Sequence, residues 1–156
     1  MKEVEPDVLE MLIGHELAIK QLYEVFAATF KHRQEFWQNL ARDEQGHADK
    51  LASLRSESTV NRWLLHESRL KPNAIKSSIG YVGRQVARVR EGNFSLLQAL
   101  SVARDLEDAL LEKHFSKLSD STSERFRSIL MDLAAETERH RKVIVEAIET
   151  EKRQSS

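Results

Sequence analysis

Four stretches of this chain each carry an apolar stripe with helical spacing, and near its middle each stripe is interrupted by glutamate, or by glutamate together with histidine. The interruptions are Glu16, then Glu44 with His47, then Glu107, then Glu136 with His140. Glutamate is almost never fully buried unless it is paired or bound to a metal. A lone Glu-x-x-His carries little weight, because chance produces such a spacing in a chain with this many Glu and His. Four interruptions at matching depth point instead to an all-α bundle with a metal site built into its core.

Each stripe runs in steps of three and four. The first is Leu9, Leu12, Glu16, Ile19, Tyr23, Phe26, Phe30, and the second is Phe36, Leu40, Glu44, His47, Leu51, Leu54. The third is Leu96, Leu100, Ala103, Glu107, Leu110, His114, Leu118, and the fourth is Phe126, Ile129, Leu133, Glu136, His140, Val143, Ala147. This alternation keeps residues on one helix face, so the carboxylates and imidazoles point where the leucines point. With helices at about 7–30, 34–56, 94–118 and 122–150, all four glutamates fall near helix midpoints. In an antiparallel bundle midpoints share a layer, and the six side chains can converge.

The chain has 156 residues, consistent with a single domain able to bury a sizeable core. Its 24 basic and 25 acidic residues are interspersed, which removes the electrostatic footprint of a nucleic-acid binder. No apolar run approaches a membrane span and no signal-peptide pattern opens the chain, so no membrane partner and a cytoplasmic location are expected. Cysteine is absent, which excludes disulfides, thiolate zinc sites and iron–sulfur clusters within these residues.

Pro6, Asp7 and Glu10 suit the start of the first helix. The polar segment 31–34 turns the chain into the second helix, which is expected to end in the Ser/Thr cluster 53–59. The connection 58–93 reads as a short helix around Val60–Leu70, a break at Lys71-Pro72-Asn73, and a second helix to about Arg90. Asn93 or Ser95 caps the third helix, and 118–123 forms the turn to the fourth. The charged tail 150–156 is expected to fray. Short, long and short links describe a ferritin-like four-helix bundle with one long helical crossover. A faint duplication pairs Glu16 with Glu107, Glu44 with Glu136, and Tyr23 with His114.

Glu44 and His47 at i, i+3 lie on one face and can bind one ion together, as can Glu136 and His140 at i, i+4. Glu16 and Glu107 add one carboxylate from each remaining helix. Four carboxylates and two imidazoles suit two divalent ions, iron or manganese by ligand type, with zinc able to substitute. Four carboxylates roughly neutralise two divalent cations, which makes a buried acidic cluster tolerable.

The Glu-(six residues)-Tyr of Glu16 and Tyr23, the Glu-Gln-Gly-His of the second helix followed by Ala48 and Asp49, the Glu107 of the third, and the Ala-Glu-Thr-Glu-Arg-His of the fourth resemble the rubrerythrin branch of the ferritin-like superfamily. The resemblance covers almost the whole chain. It implies two iron ions, a homodimer, O₂ or hydrogen peroxide as the small substrate, and peroxidase or ferroxidase chemistry. It further implies terminal ligation by Glu16 and Glu107, bridging by Glu44 and Glu136, and imidazole ligation by His47. Tyr23 reads either as a packed core tyrosine or as a hydrogen-bond donor beside the centre. This sequence departs from the pattern where Thr137 stands three before His140, where Arg139 occupies a ligand Glu position, where Arg104 and Leu110 flank Glu107, and in having no rubredoxin-like tail. Redox turnover therefore requires an external electron donor.

Two other readings stay open: a metal-binding or iron-handling bundle without turnover, and a metal-free helical interaction module in which Glu and His pair with each other. His15, His32 and His66 read as solvent-facing or in connections. Trp37 and Trp63 read as packing, Gly46 as a close helix approach, and Asp43, Asp108 and Glu138 as solvated residues able to orient an imidazole.

Overall fold

The computed structural model describes residues 5–115, 118, 121 and 123–155, without the side chains of Lys113, His114 and Ser155. The described residues form six α-helices and no strand: α1 Val8–Thr29, α2 Gln34–Ala52, α3 Ser58–His66, α4 Pro72–Arg90, α5 Leu96–Ala109 and α6 Glu124–Ser155. The chain is an all-α helical bundle. None of the described helices is long and apolar enough to cross a membrane. The His114 side chain and positions 119, 120 and 122 of the expected last turn lie outside the described residues.

Local chemistry accounts for the helix ends. Asp7 is the N-cap of α1 and accepts from the Glu10 backbone N–H, so Pro6 precedes the cap rather than opening the helix. Ser95 caps α5 in a reciprocal capping box with Gln98. Pro72 opens α4, where its missing N–H has no helical partner to lose.

α1 and α2, joined by a single 3₁₀ turn at Lys31–Arg33, pack along each other as a hairpin, and α5 packs along α6 as a second. The crossover α3–α4 lies between them in sequence, and α4 packs along α1. Phe26 of α1 packs at a tilt against Trp37 of α2 (4.7 Å between centroids) and stacks on Phe94 (5.9 Å), while Trp63 meets Phe126 edge-on at 6.1 Å. The fully buried rings of Phe26, Trp37 and Phe126 each contribute on the order of 2 kcal/mol from burial, so the core can carry a polar layer and still hold.

Five expectations are corrected. The tail does not fray at 150: α6 continues to Ser155, held where Glu151 accepts from Arg33 at 2.8 Å. α2 ends at Ala52 and continues as a 3₁₀ turn, and α5 gives way after Ala109 to a π-helical turn, Leu110–Phe115. Val143 is 42% exposed and the neighbouring Ile144 takes the core position. A Cβ added at Gly46 meets nothing within 4 Å, so no helix approaches closely there.

Candidate metal centre

Four helices deliver the site. Glu16 comes from α1, Glu44 and His47 from α2, Glu107 from α5 and His140 from α6, all five at 3% exposure or less. Glu44 lies at the centre. Its Oε2 is 3.2 Å from His47 Nδ1, and its Oε1 is 3.3 Å from His140 Nδ1. Glu16 Oε2 completes one group at 3.7 Å from His47 Nδ1, and Glu107 Oε1 completes the other at 3.4 Å from His140 Nδ1. The two imidazoles are nearly parallel, tilted by 23°, with centroids 5.7 Å apart. Glu16, Glu44 and His47 thus form one potential metal-ligand set and Glu44, Glu107 and His140 a second, each with its ligand atoms within 4.8 Å of one another.

The donor atoms fit a cation better than they fit each other. Both Glu44 oxygens, Glu16 Oε2, Glu107 Oε2, His47 Nδ1 and His140 Nδ1 are buried and make no hydrogen bond. Groups of this kind are normally satisfied, and leaving one unmade costs about 1–3 kcal/mol. Around an ion with bonds of about 2.1 Å, neighbouring ligand atoms stand about 3.0–3.4 Å apart, the range of most of these contacts. Oxygen and imidazole donors suit iron, manganese or zinc.

A second layer holds the imidazoles. Asp43 Oδ2 lies 2.9 Å from His140 Nε2, hydrogen-bonded to it, so loss of the opposite proton leaves the Nδ1 lone pair aimed at Glu44 and Glu107. Glu136 lies outside those two sets but forms a third potential ligand group with Asp43 and His140 at the rim of the centre. Its carboxylate, 17% exposed, sits 3.3 Å from His47 Nε2, with the cations of Arg139 and Lys50 at 3.8 and 3.9 Å. The arrangement is only partly reciprocal: Asp43 on α2 hydrogen-bonds the imidazole of α6, whereas Glu136 on α6 stands near His47 Nε2, which makes no hydrogen bond. Tyr23, fully buried, donates its hydroxyl to Glu107 Oε1 at 2.8 Å.

Burial and like charge shape the protonation of the metal-free cluster. Burial, then the Glu44 carboxylate, push Glu16 up to about 8. For His47 burial acts downward, but Glu16 and Glu44 outweigh it and raise the imidazole to about 10. His140 is raised to about 11 by Glu107 and Glu44 against the same opposing burial. Burial, then the charge of Glu107, lift the Tyr23 phenol well above its ordinary value, so it stays a proton donor.

His15, expected at the surface, is buried at 3%, because α1 packs against both α2 and α4. The duplication also has a different register from the one read in sequence. Asp43, Glu44 and His47 share their spacing with Glu136, Thr137 and His140, so the counterpart of Glu44 is Thr137 and that of Glu136 is Asp43. That repeated spacing was the available signal. Arg139 is exposed and reaches only the rim carboxylate of Glu136, and Arg104 contacts Asp105.

A groove of about 470 Å³ between α2 and α6, lined by Phe36, Leu40, Asp43, His140 and Val143 among others, reaches the outer edge of the centre. No family model, no curated protein and no solved structure matches the chain.

The outer carboxylates give a direct prediction. Asp43→Asn and Glu136→Gln keep every inner donor, yet each should weaken metal retention about 10–100-fold. Competition against a chelator of known affinity measures it. Unchanged retention in both variants would remove the outer layer from the account.

Proposed function

We propose that this bundle is a rubrerythrin-like di-metal carboxylate protein, holding two iron ions and carrying out peroxidase- or ferroxidase-type chemistry on hydrogen peroxide or O₂. The observation that carries the reading is Glu44: one buried carboxylate, with neither oxygen hydrogen-bonded, shared between two ligand sets that each contain a further carboxylate and an imidazole. A single-ion site has no use for this arrangement. The resemblance in sequence adds iron, the homodimer and an external electron donor to what the geometry supports, and a cytoplasmic setting goes with them.

When bound, iron supplies the two electrons that reduce peroxide or O₂, and the external donor restores them. The protein's own residues set the conditions. Glu16 would hold an ion together with Glu44 and His47, and Glu107 one together with Glu44 and His140. His47 and His140 would give up their Nδ1 protons to ligate, with Asp43 holding the Nε2 side of His140 and the Glu136 carboxylate beside that of His47. Tyr23 holds a proton on its hydroxyl against Glu107 and fixes the direction of that carboxylate. Burial of all five ligands keeps bulk water from the inner layer, and the α2–α6 groove is the way in for a small oxidant.

The test is metal content by plasma mass spectrometry on protein reconstituted anaerobically with ferrous iron and desalted. About two ions per chain are expected, followed by oxidation of the loaded centre by stoichiometric peroxide. Well under one ion per chain would overturn the di-metal reading. Two ions with peroxide oxidation no faster than that of free ferrous iron would favour a metal-handling bundle without turnover.

A further inference from the structure

The internal repeat leaves one position of the centre unlike its mate. Asp43, Glu44 and His47 on α2 correspond in spacing to Glu136, Thr137 and His140 on α6. The outer pair matches in kind, carboxylate for carboxylate beside an imidazole Nε2, although only Asp43 hydrogen-bonds its partner, and the two imidazoles match as well. Only the middle pair differs: Glu44 places both oxygens between the imidazoles, whereas Thr137 offers a hydroxyl on a side chain too short to span two ions. Thr137 is 0% exposed, and its Oγ1 makes no hydrogen bond. It lies three residues before His140, the same step that sets Glu44 and His47 on one helix face.

Ligand count at the inner layer points the same way. Each inner set holds three side chains, Glu44 being shared, which leaves coordination positions open on both ions. A small anion from solution can fill such a position. A buried hydroxyl with no partner is a ready donor to such an anion, and hydrogen bonds to charged groups are the stronger ones.

We propose that the place on α6 occupied by the second Glu in the repeat is, here, an exogenous-ligand position: a small monoanion of carboxylate or azide size completes the di-metal centre there, held by the Thr137 hydroxyl. This rests on the di-metal reading above. The missing carboxylate makes the centre one that takes its last ligand from solution, and a small organic acid is the co-ligand class it takes.

The experiment uses the full chain loaded with cobalt(II), whose visible spectrum reports coordination, and titrates sodium azide and then sodium formate. Wild type with two cobalt ions per chain should show a saturable spectral change at one anion per pair of ions. Thr137→Val, nearly isosteric, should keep its metal and bind azide about tenfold more weakly. Thr137→Glu should supply the carboxylate internally, show the anion-bound type of spectrum without azide, and lose the azide response. Two ions per chain with no anion response in wild type, or an azide response in Thr137→Glu equal to wild type, would overturn the inference and leave the di-metal reading standing. Fewer than two ions in wild type would overturn both.

Discussion

Glu44→Gln is expected to lower retained metal from about two ions per chain to less than about half an ion, the largest effect of any single substitution in the centre. The reason is its membership of both ligand sets: its Oε2 faces His47 and its Oε1 faces His140. Gln keeps the volume and the helix but replaces a charged bridging group by a neutral amide with one acceptor oxygen. The controls are Glu16→Gln and Glu107→Gln, each of which touches only one set and should leave about one ion. Plasma mass spectrometry on anaerobically loaded, desalted samples separates these outcomes. If the parent already holds almost no metal and Glu44→Gln raises its melting temperature, the buried carboxylates are a liability of a metal-free core, as replacement of buried charges by neutral groups often reveals. If the variant keeps both ions, Glu44 is not the shared ligand.

The fold was legible because its signal is repeated. Stripes of three-and-four steps set the long helices, and the cap chemistry at Ser95 and the break at Pro72 set boundaries that the structure reproduces. Inner residues were legible for a related reason: a carboxylate or imidazole on an apolar stripe is conspicuous, and Glu16, Glu44, His47, Glu107 and His140 are all buried. Assignment on α6 was harder. At 3.6 residues per turn, steps of three and of four before His140 both land on its face, so Glu136 and Thr137 are both admissible by spacing. Side-chain chemistry favoured the glutamate, whereas the helix rotation that seats Leu133 and Ile144 in the core sends Thr137 inward and Glu136 to the rim. The same limit applies to Val143 and Ile144, neighbours of which only one can face the core. His15 was misplaced because the position of α4 against α1 is a long-range fact that no local pattern on α1 records. The π-helical turn just after Glu107 left no trace in the spacing either, though such turns often accompany functional sites.

Metal-free protein should lose stability as pH rises, and metal-loaded protein should gain it. The sign follows from the protons held by the folded chain. His47 keeps its proton up to about 10 and His140 up to about 11, both above an ordinary value of 6.5. Glu16 keeps its proton to about 8, above an ordinary value of 4.5. All three are raised, so the folded state binds more protons than the unfolded state across these windows, and stability falls with pH there. The Glu16 contribution is complete below pH 4.5 and is lost as pH passes through about 8. The histidine contributions are complete below pH 6.5 and are lost as pH rises through about 10 to 11. Between pH 6 and 9 the melting temperature of chelator-treated protein should fall by on the order of 10 °C, a few kcal/mol for a chain of this length. Metal binding reverses the slope. The ligands must shed those same protons before they coordinate, so the stabilisation contributed by the ions grows with pH until the protons are gone. Melting curves for the two preparations should therefore diverge as pH rises from 6, a pattern that ordinary surface titration does not produce. A metal-free protein whose melting temperature is flat or rising over that range would mean that the imidazoles are neutral in the folded core. In that case Glu16, Glu44 and Glu107 would face each other without cationic relief, and the buried layer would depend on metal to exist at all.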